Sequence, residues 1–334
     1  MNEQQPRAKR AGDQPPSHPA SGSASAASEQ EKTARLLIDH LDPARFGHPG
    51  YLGWFYRDNP RGEVIDENED DEDGNRIGHY AVIPTRYRTP SGATPFIFSS
   101  NVATSPAIRR GGLFRTMAER MYERARATGA PGMVGVGNDN STIVVVERFG
   151  WRALGPLPVR VSIPIPGRGR SVESRPVDAR LLTTPWFEAA AVDLDWVPVG
   201  HWAQSWTPEY LRWRLSRPDG GYVLHVTPEA LAVSVLAHAR FKIRCAVLLK
   251  VFPRPGARLP VAATPLIAAA CSYHRAPICV YAGFNAHVRV RGVRSPRRIQ
   301  PSPLNLVFKS LDEERAPSST FQLDTFEFLD MDAY

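Results

Sequence analysis

The stretch Ala103-Thr104-Ser105-Pro106-Ala107-Ile108-Arg109-Arg110-Gly111-Gly112-Leu113-Phe114 decides how this 334-residue chain is read. It follows a strand-like run from about Pro95 to Thr104. A helical run from Gly112 to about Thr128 comes after it, in which Leu113, Met117, Met121 and Ala125 recur every four residues. Gly129 closes that helix, and Met133-Val134-Gly135-Val136 then reads as a short buried strand. The order is strand, loop, helix, strand. A helix N-terminus presents unpaired backbone N–H groups and a partial positive charge. Glycines let a phosphate approach that backbone closely, and Arg109 and Arg110 add mobile positive charge. These features fit an anionic ligand, a pyrophosphate above all. A plain tight turn with surface arginines is the alternative.

Upstream, Met1 to Gln30 contains no Ile, Leu, Val, Phe, Tyr or Trp, so it reads as a disordered tail. Ser28-x-x-Glu31 is spaced as a capping box for a helix to about Leu41. An aromatic segment, Tyr51-Leu52-Gly53-Trp54-Phe55-Tyr56, ends at Pro60. From Asp66 to Asp73 every residue but Asn68 is acidic, which predicts a hairpin with a long solvated tip before the alternating run Ile77 to Ile83. A calcium loop fails on spacing, because with Gly74 at the sixth position the twelfth is Tyr80. A second hairpin turns at Thr89-Pro90-Ser91-Gly92.

Downstream, Val159 to Pro185 is rich in Pro, Gly and Arg and reads as a linker between two domains. Beyond it, Tyr210-Leu211-Arg212-Trp213 echoes Tyr51-Leu52-Gly53-Trp54 at an offset that matches a domain length, which points to an internal duplication. Hydrophobic residues at 42% and charged residues at 22% are globular values. The most apolar uncharged stretch, Leu259 to His274, is too short to span a membrane and holds Pro260 and Pro265. Cys245, Cys271 and Cys279 form no CxxC, and the histidines show no HxH or HExxH spacing, so no metal is expected and the thiols are expected to be buried. No secretion signal opens the chain, which with the reduced thiols points to the cytoplasm. The net charge of +7 comes mostly from arginines spread along the chain; only His287 to Arg298 concentrates them, and there a solvated face is expected in preference to a nucleic-acid site.

In this setting the opening stretch resembles the phosphate loop of the GNAT superfamily of acyl-CoA N-acyltransferases, Arg/Gln-x-x-Gly-x-Gly/Ala, which follows the fourth strand and opens a helix. It appears here as Arg109-x-x-Gly112-x-Phe114. Phe114 stands where a small residue is usual, as it does in a subset of the superfamily. Gly137-Asn138-Asp139-Asn140-Ser141 and Phe149-Gly150-Trp151 are similar to that subset's Asn-x-Asn-Ser and Gly-Trp segment. The resemblance covers Tyr51 to Leu157. It continues more faintly through Pro301-Ser302-Pro303-Leu304-Asn305 and Asp330-Met331-Asp332, which look like the ends of tandem-domain members.

The resemblance implies an α/β (mixed α+β) fold of two tandem GNAT-like domains, each a mixed, mostly antiparallel, splayed sheet flanked by helices. Residues 1–30 would be tail, 31–165 an acyl-CoA-binding domain and 166–334 a degenerate second domain that shapes the acceptor cleft. The co-substrate implied is acetyl-CoA or another acyl-CoA, and the partner a small-molecule or peptide amine that attacks the thioester directly. Val102, Ala103 and Thr104 would line the pantetheine gap, with a backbone N–H near Ala103 polarising the thioester carbonyl. Arg109 would head the loop, and the N–H groups of Arg110, Gly111, Gly112, Leu113 and Phe114 would hold the pyrophosphate. Asn138 and Ser141 would lie beside the pantetheine or the sulfur. Val145 occupies the place of the tyrosine that protonates the leaving thiolate in many members, and no carboxylate lies on the strand before Ala103, where Ser99, Ser100 and Asn101 sit, so no catalytic acid or base is assigned. The resemblance makes Thr142-Ile143-Val144-Val145-Val146 helical, whereas its β-branched composition alone predicts a strand. Two readings besides transfer stay open: a catalytically silent acyl-CoA-binding module, and a peptidoglycan-type aminoacyl transferase, against which Gly112 argues.

Overall fold

The computed structural model describes residues 21–106, 112–194, 200–239, 242–300 and 304–331. Helices α1 (Ser21–His40), α2 (Pro43–Phe46) and α3 (Tyr51–Tyr56) lead in. An antiparallel meander of β1 (Ile65–Asp70), β2 (Arg76–Thr89) and β3 (Gly92–Thr104) follows. Helix α4 (Leu113–Ala127) crosses over to β4 (Gly132–Gly137), which runs parallel to β3. Next come α5 (Asp139–Phe149) and β5 (Arg152–Pro156).

Strands β6 (Val159–Ser162) and β7 (Glu173–Pro176) occupy the segment expected to be a linker, and helix α6 (Pro185–Ala190) starts where it ends. Then β8 (Ala203–Gln204) leads to α7 (Pro208–Leu215), which Thr207 caps and Pro208 opens. Strands β9 (Val223–Val226), β10 (Ala230–His238) and β11 (Arg244–Pro253) repeat the meander. After β12 (Val261–Ala262), helix α8 (Thr264–His274) crosses to β13 (Ile278–Asn285), parallel to β11. The short β14 (Val288–Arg289) and β15 (Val293–Arg294) precede β16 (Asn305–Ser310) and β17 (Thr325–Glu327).

Two mixed, mostly antiparallel sheets result. The first runs β1-β2-β3-β4-β16-β5, with β8 on β2; the second runs β15-β6-β13-β11-β10-β9-β7, with β17 on β13. Each sheet borrows a strand. β16, from near the C-terminus, lies between β4 and β5, and β6, which follows directly on the first half, lies between β13 and β15. The sheets therefore do not divide the chain at a single point.

The echoed aromatic motifs meet face to face. Trp54 and Trp213 stack with centroids 5.2 Å apart. The indole N–H of Trp54 donates to the carbonyl of Trp213 at 2.8 Å, and that of Trp213 donates back to the carbonyl of Trp54 at 3.0 Å. The Arg217 guanidinium covers Tyr51 and that of Arg61 covers Tyr210. This reciprocity around α3 and α7 is what a duplicated unit facing its own copy produces.

Three local expectations change. α1 begins at Ser21, so Ser28 lies inside the helix rather than capping it, and residues 21–30 are helical; Glu29 pairs with the buried Arg76. The acidic run is strand β1 and not a solvated tip, the turn being confined to Asp71–Asn75. It is held because Arg120 and Arg124 on α4 pair with Glu67, Arg120 also with Glu69, and Asp70 takes Lys32 at 2.9 Å and Arg76 at 2.6 Å. α5 is a helix despite its β-branched run, because Asn138 caps it and Val145 and Val146 pack against the core beside α4. The three cysteines are buried and free. No helix among the described residues is long and apolar enough to cross a membrane.

Two histidines are fully buried, His79 on β2 and His225 on β9. Burial pushes each from 6.5 down to about 3, helped by the charge of Arg76 at His79 and by His274 at His225. The unfolded chain takes up these protons near pH 6.5 and the folded one refuses them until about pH 3. Stability is therefore level above pH 6.5 and falls as pH drops through that window, by up to about 1.4 kcal/mol per pH unit for each histidine. In urea titrations His79→Gln is expected to flatten the slope between pH 6 and 4 by about one proton's worth. An unchanged slope would show that His79 charges freely in the folded protein.

Candidate active site

In the first sheet, β3 and β4 pair through only three positions, Ile97–Met133, Phe98–Val134 and Ser99–Gly135. Beyond Ser99, β3 runs on to Thr104 and β4 to Gly137 without a ladder between them. The cause is visible in β3. Its pairing with β2 shifts between Tyr80 and Ala81, which leaves Asn101 as an extra residue at φ 50°. Such a bulge bends the strand it interrupts. On its far side β4 stays paired with β16 as far as Gly137, so it cannot follow β3.

A chain of hydrogen bonds holds the bulge from behind. The Asn101 amide donates to the Tyr56 hydroxyl at 3.0 Å, and that hydroxyl lies 2.8 Å from Nε2 of His79. Nδ1 of His79 lies 2.7 Å from the side-chain oxygen of Asn68, whose amide donates to Asp66 at 2.7 Å. Since the Asn68 oxygen can only accept, Nδ1 carries the proton, and bare Nε2 takes the Tyr56 hydrogen. With its affinity for a further proton pushed down to about pH 3, His79 acts as a fixed acceptor rather than a base. Tyr56, Asn68, His79 and Asn101 are far apart in the sequence, and no local pattern marks their meeting.

Val102, Ala103 and Thr104 lie on the end of β3 that pairs with β2 but not with β4, with Ala103 buried and its neighbours half-buried. Gly112 is the N-cap of α4 at φ 77°, is exposed, and has nothing within 4 Å of the place a Cβ would take. Leu113 and Phe114 form the first turn, whose N–H groups lack intrahelical acceptors. Phe114 packs on Tyr80 and Phe149, which ties α4 to α5 and accounts for a bulky side chain at that place in the motif. Arg109, Arg110 and Gly111 lie outside the described residues. Asn138 and Ser141 sit exposed at the end of β4, where the Asn138 oxygen accepts the Ser141 N–H at 2.9 Å; the Asn138 side chain caps α5.

On the opposite face of the sheet from α4, Phe98, Ile83 and Thr85 meet Gln204, Trp213 and Asp330 around a narrow cavity with room for about one water molecule. The Gln204 side-chain oxygen is buried there without a partner among the described residues, while its nitrogen reaches Thr85 and Tyr210. Both halves of the chain therefore wall this face.

The second sheet repeats the splay. Its parallel ladder stops at Leu248–Tyr281, and a register shift makes Leu249 the extra residue. Here, however, the gap is filled, because β17 pairs with Gly283–Asn285 of β13. α8 follows the β12 strand directly, with Ala263 at its N-cap, Pro265 in its first turn and no glycine loop. Among the described residues no group of three or more acidic, His or Cys side chains is placed to hold a metal.

Residues 67–154 match the family model of the acetyltransferase (GNAT) domain. No curated protein matches the sequence. Among solved structures, a GCN5-related N-acetyltransferase from Anabaena variabilis superposes with a TM-score of 0.57 at 11% identity, over 85% of this chain and 71% of its own. A probable N-acyltransferase from Enterococcus faecalis gives 0.54 at 9% identity, over 85% and 71%. Eis1 from Mycobacterium abscessus gives 0.50 at 11%, over 86% and 73%. At such identities these three establish a shared fold, and it extends across both sheets. With the family model fitting the span from Glu67 to Leu154, around the open gap, that span of the chain is a GNAT acetyltransferase domain.

Proposed function

We propose that the protein is an acyl-CoA-dependent N-acyltransferase whose single co-substrate site is the gap between β3 and β4. The observation that carries this reading is the contrast between the two gaps: the first is unpaired beyond Ser99–Gly135, and the second is filled by β17. Acetyl-CoA would lay its pantetheine arm along the free edges of β3 and β4. Its pyrophosphate would sit on the N–H groups at the start of α4, where the helix dipole favours negative charge. Backbone N–H groups on β3 between Ser100 and Thr104 would polarise the thioester carbonyl. An amine entering beside Phe98 attacks the carbonyl carbon; the N–C bond forms, the C–S bond breaks, and the thiolate leaves with the electron pair. The amine's proton passes to solvent, and Val145 can offer none to the thiolate.

Val145 at that place favours one competing reading, a module that binds acyl-CoA without turning it over. A calorimetric titration with acetyl-CoA, followed by thiol release with spermidine, kanamycin, phenethylamine and a lysine peptide, tests both. One mole bound per mole of protein with amine-dependent thiol release is expected. One mole bound without release would favour the silent module, and no binding would sink both readings.

A further inference from the structure

The second gap is closed by the chain's own C-terminal segment, and the closure is specific. β17 runs antiparallel to Gly283–Asn285. Gly283 sits at φ 118°, and a Cβ on it would collide with the Phe326 carbonyl, so only glycine lets the segment settle. From β17 the fully buried Glu327 reaches across the gap. Its carboxylate accepts the Tyr281 hydroxyl at 3.0 Å, the Asn285 amide at 3.0 Å, the Val251 backbone N–H of β11 at 3.2 Å and Lys250 at 3.1 Å. Lys250 also holds Asp330 at 2.7 Å, and Asp330 takes the Trp206 indole N–H at 2.9 Å and the Glu327 N–H at 2.7 Å. One residue further on, the Met331 carbonyl accepts from Arg214 at 2.8 Å. Asp330 and Met331 thereby become part of the wall of the cavity beside Phe98 and Ile83 of the first sheet.

We propose that the second half has turned its cofactor gap into a socket for the C-terminal segment, and that Glu327 is a positioning residue which, through this socket, sets the acceptor-side wall of the first gap. The word acceptor rests on the function proposed above; the socket does not. Glu327 acts at a distance, since it touches β11, β13 and Lys250 and does not line the cavity. Its work is to stop the segment 325–331 from leaving the gap, and with it Asp330 and Met331 from leaving the wall.

Hydrogen exchange, acetyl-CoA calorimetry and transfer to phenethylamine, a probe chosen for the aromatic lining, test this together. Glu327→Ala is expected to cut protection of amides 325–331 at least tenfold, with β4 and α4 unchanged. It is expected to raise the KM for phenethylamine at least fivefold while acetyl-CoA affinity stays within twofold. Glu327→Gln keeps the oxygen that accepts from Tyr281 and Val251 but turns a donor toward Lys250 and Asn285, and is expected to restore part of both. If the alanine variant does not fold, Tyr281→Phe removes a single donor and gives the same changes in smaller size. Unchanged protection of 325–331, no rescue by glutamine, or a loss of acetyl-CoA affinity in step with the exchange would overturn the proposal. If the wild type bound no acetyl-CoA, the functional reading would fail, and the socket would still be decided by the exchange of 325–331 alone.

Discussion

Gly112→Glu is expected to lower acetyl-CoA affinity more than 100-fold and to leave the fold standing. Two physical effects combine. The side chain grows into the exposed space in front of α4 that the proposed pyrophosphate would occupy, and it brings a negative charge against that anion. The cost to the fold is limited. The Cβ meets nothing within 4 Å, so the main penalty is a non-glycine residue at φ 77°, about 1–2 kcal/mol. Calorimetry with acetyl-CoA and a thermal melt on the same preparation check both halves of the statement. Gly112→Ala carries the strain without the charge and serves as the control, with a much smaller loss expected. Affinity within threefold of the wild type in the glutamate variant would show that the α4 N-terminus holds no phosphate.

The second large effect is on stability. Trp213→Ala is expected to cost about 3–5 kcal/mol, the usual range for emptying a buried tryptophan site. It removes the stack on Trp54 and the N–H that satisfies the Trp54 carbonyl, and it takes a wall from the cavity between the halves. Trp54→Ala is expected to match it, and the double variant to lose clearly less than the sum, because both single changes break the same reciprocal pair. Urea unfolding of the three variants measures this. A loss below about 1 kcal/mol for either single change would mean that the halves are held together elsewhere.

Local patterns in the sequence reached as far as local physics does. The four-residue recurrence from Leu113 to Ala125 predicted α4, the turn Thr89–Gly92 predicted the β2–β3 hairpin, and the two tryptophans of the echoed motif stack on each other. What stayed hidden depends on distant partners. The charges of β1 argued for a solvated tip until Arg120 and Arg124 on α4 were there to meet them. The valines of α5 argued for a strand until the Asn138 cap and the core beside α4 outweighed their propensity. β6 lay unseen in a stretch read as a linker, because its pairing with β13 is set more than a hundred residues away. Around the gap, Gly112 could be picked out, since glycine before a helix is a local fact, whereas Val102–Thr104 came only from the resemblance to a family. The bulge at Asn101 and the filling of the second gap by Glu327 are not local facts.

The borrowed strands have a consequence for how the molecule is made. Until Ser310 has left the ribosome, β4 has no neighbour on its outer edge, and β5 has nothing to join. The earlier half must therefore wait, half-finished and with an exposed ladder edge, until β16 has been synthesised. Once β16 and β6 have crossed, the halves are interlocked, and neither can open fully without disturbing the other. Substitutions can reshape the surface of either half, but neither half can be lost without unpairing a strand of the other.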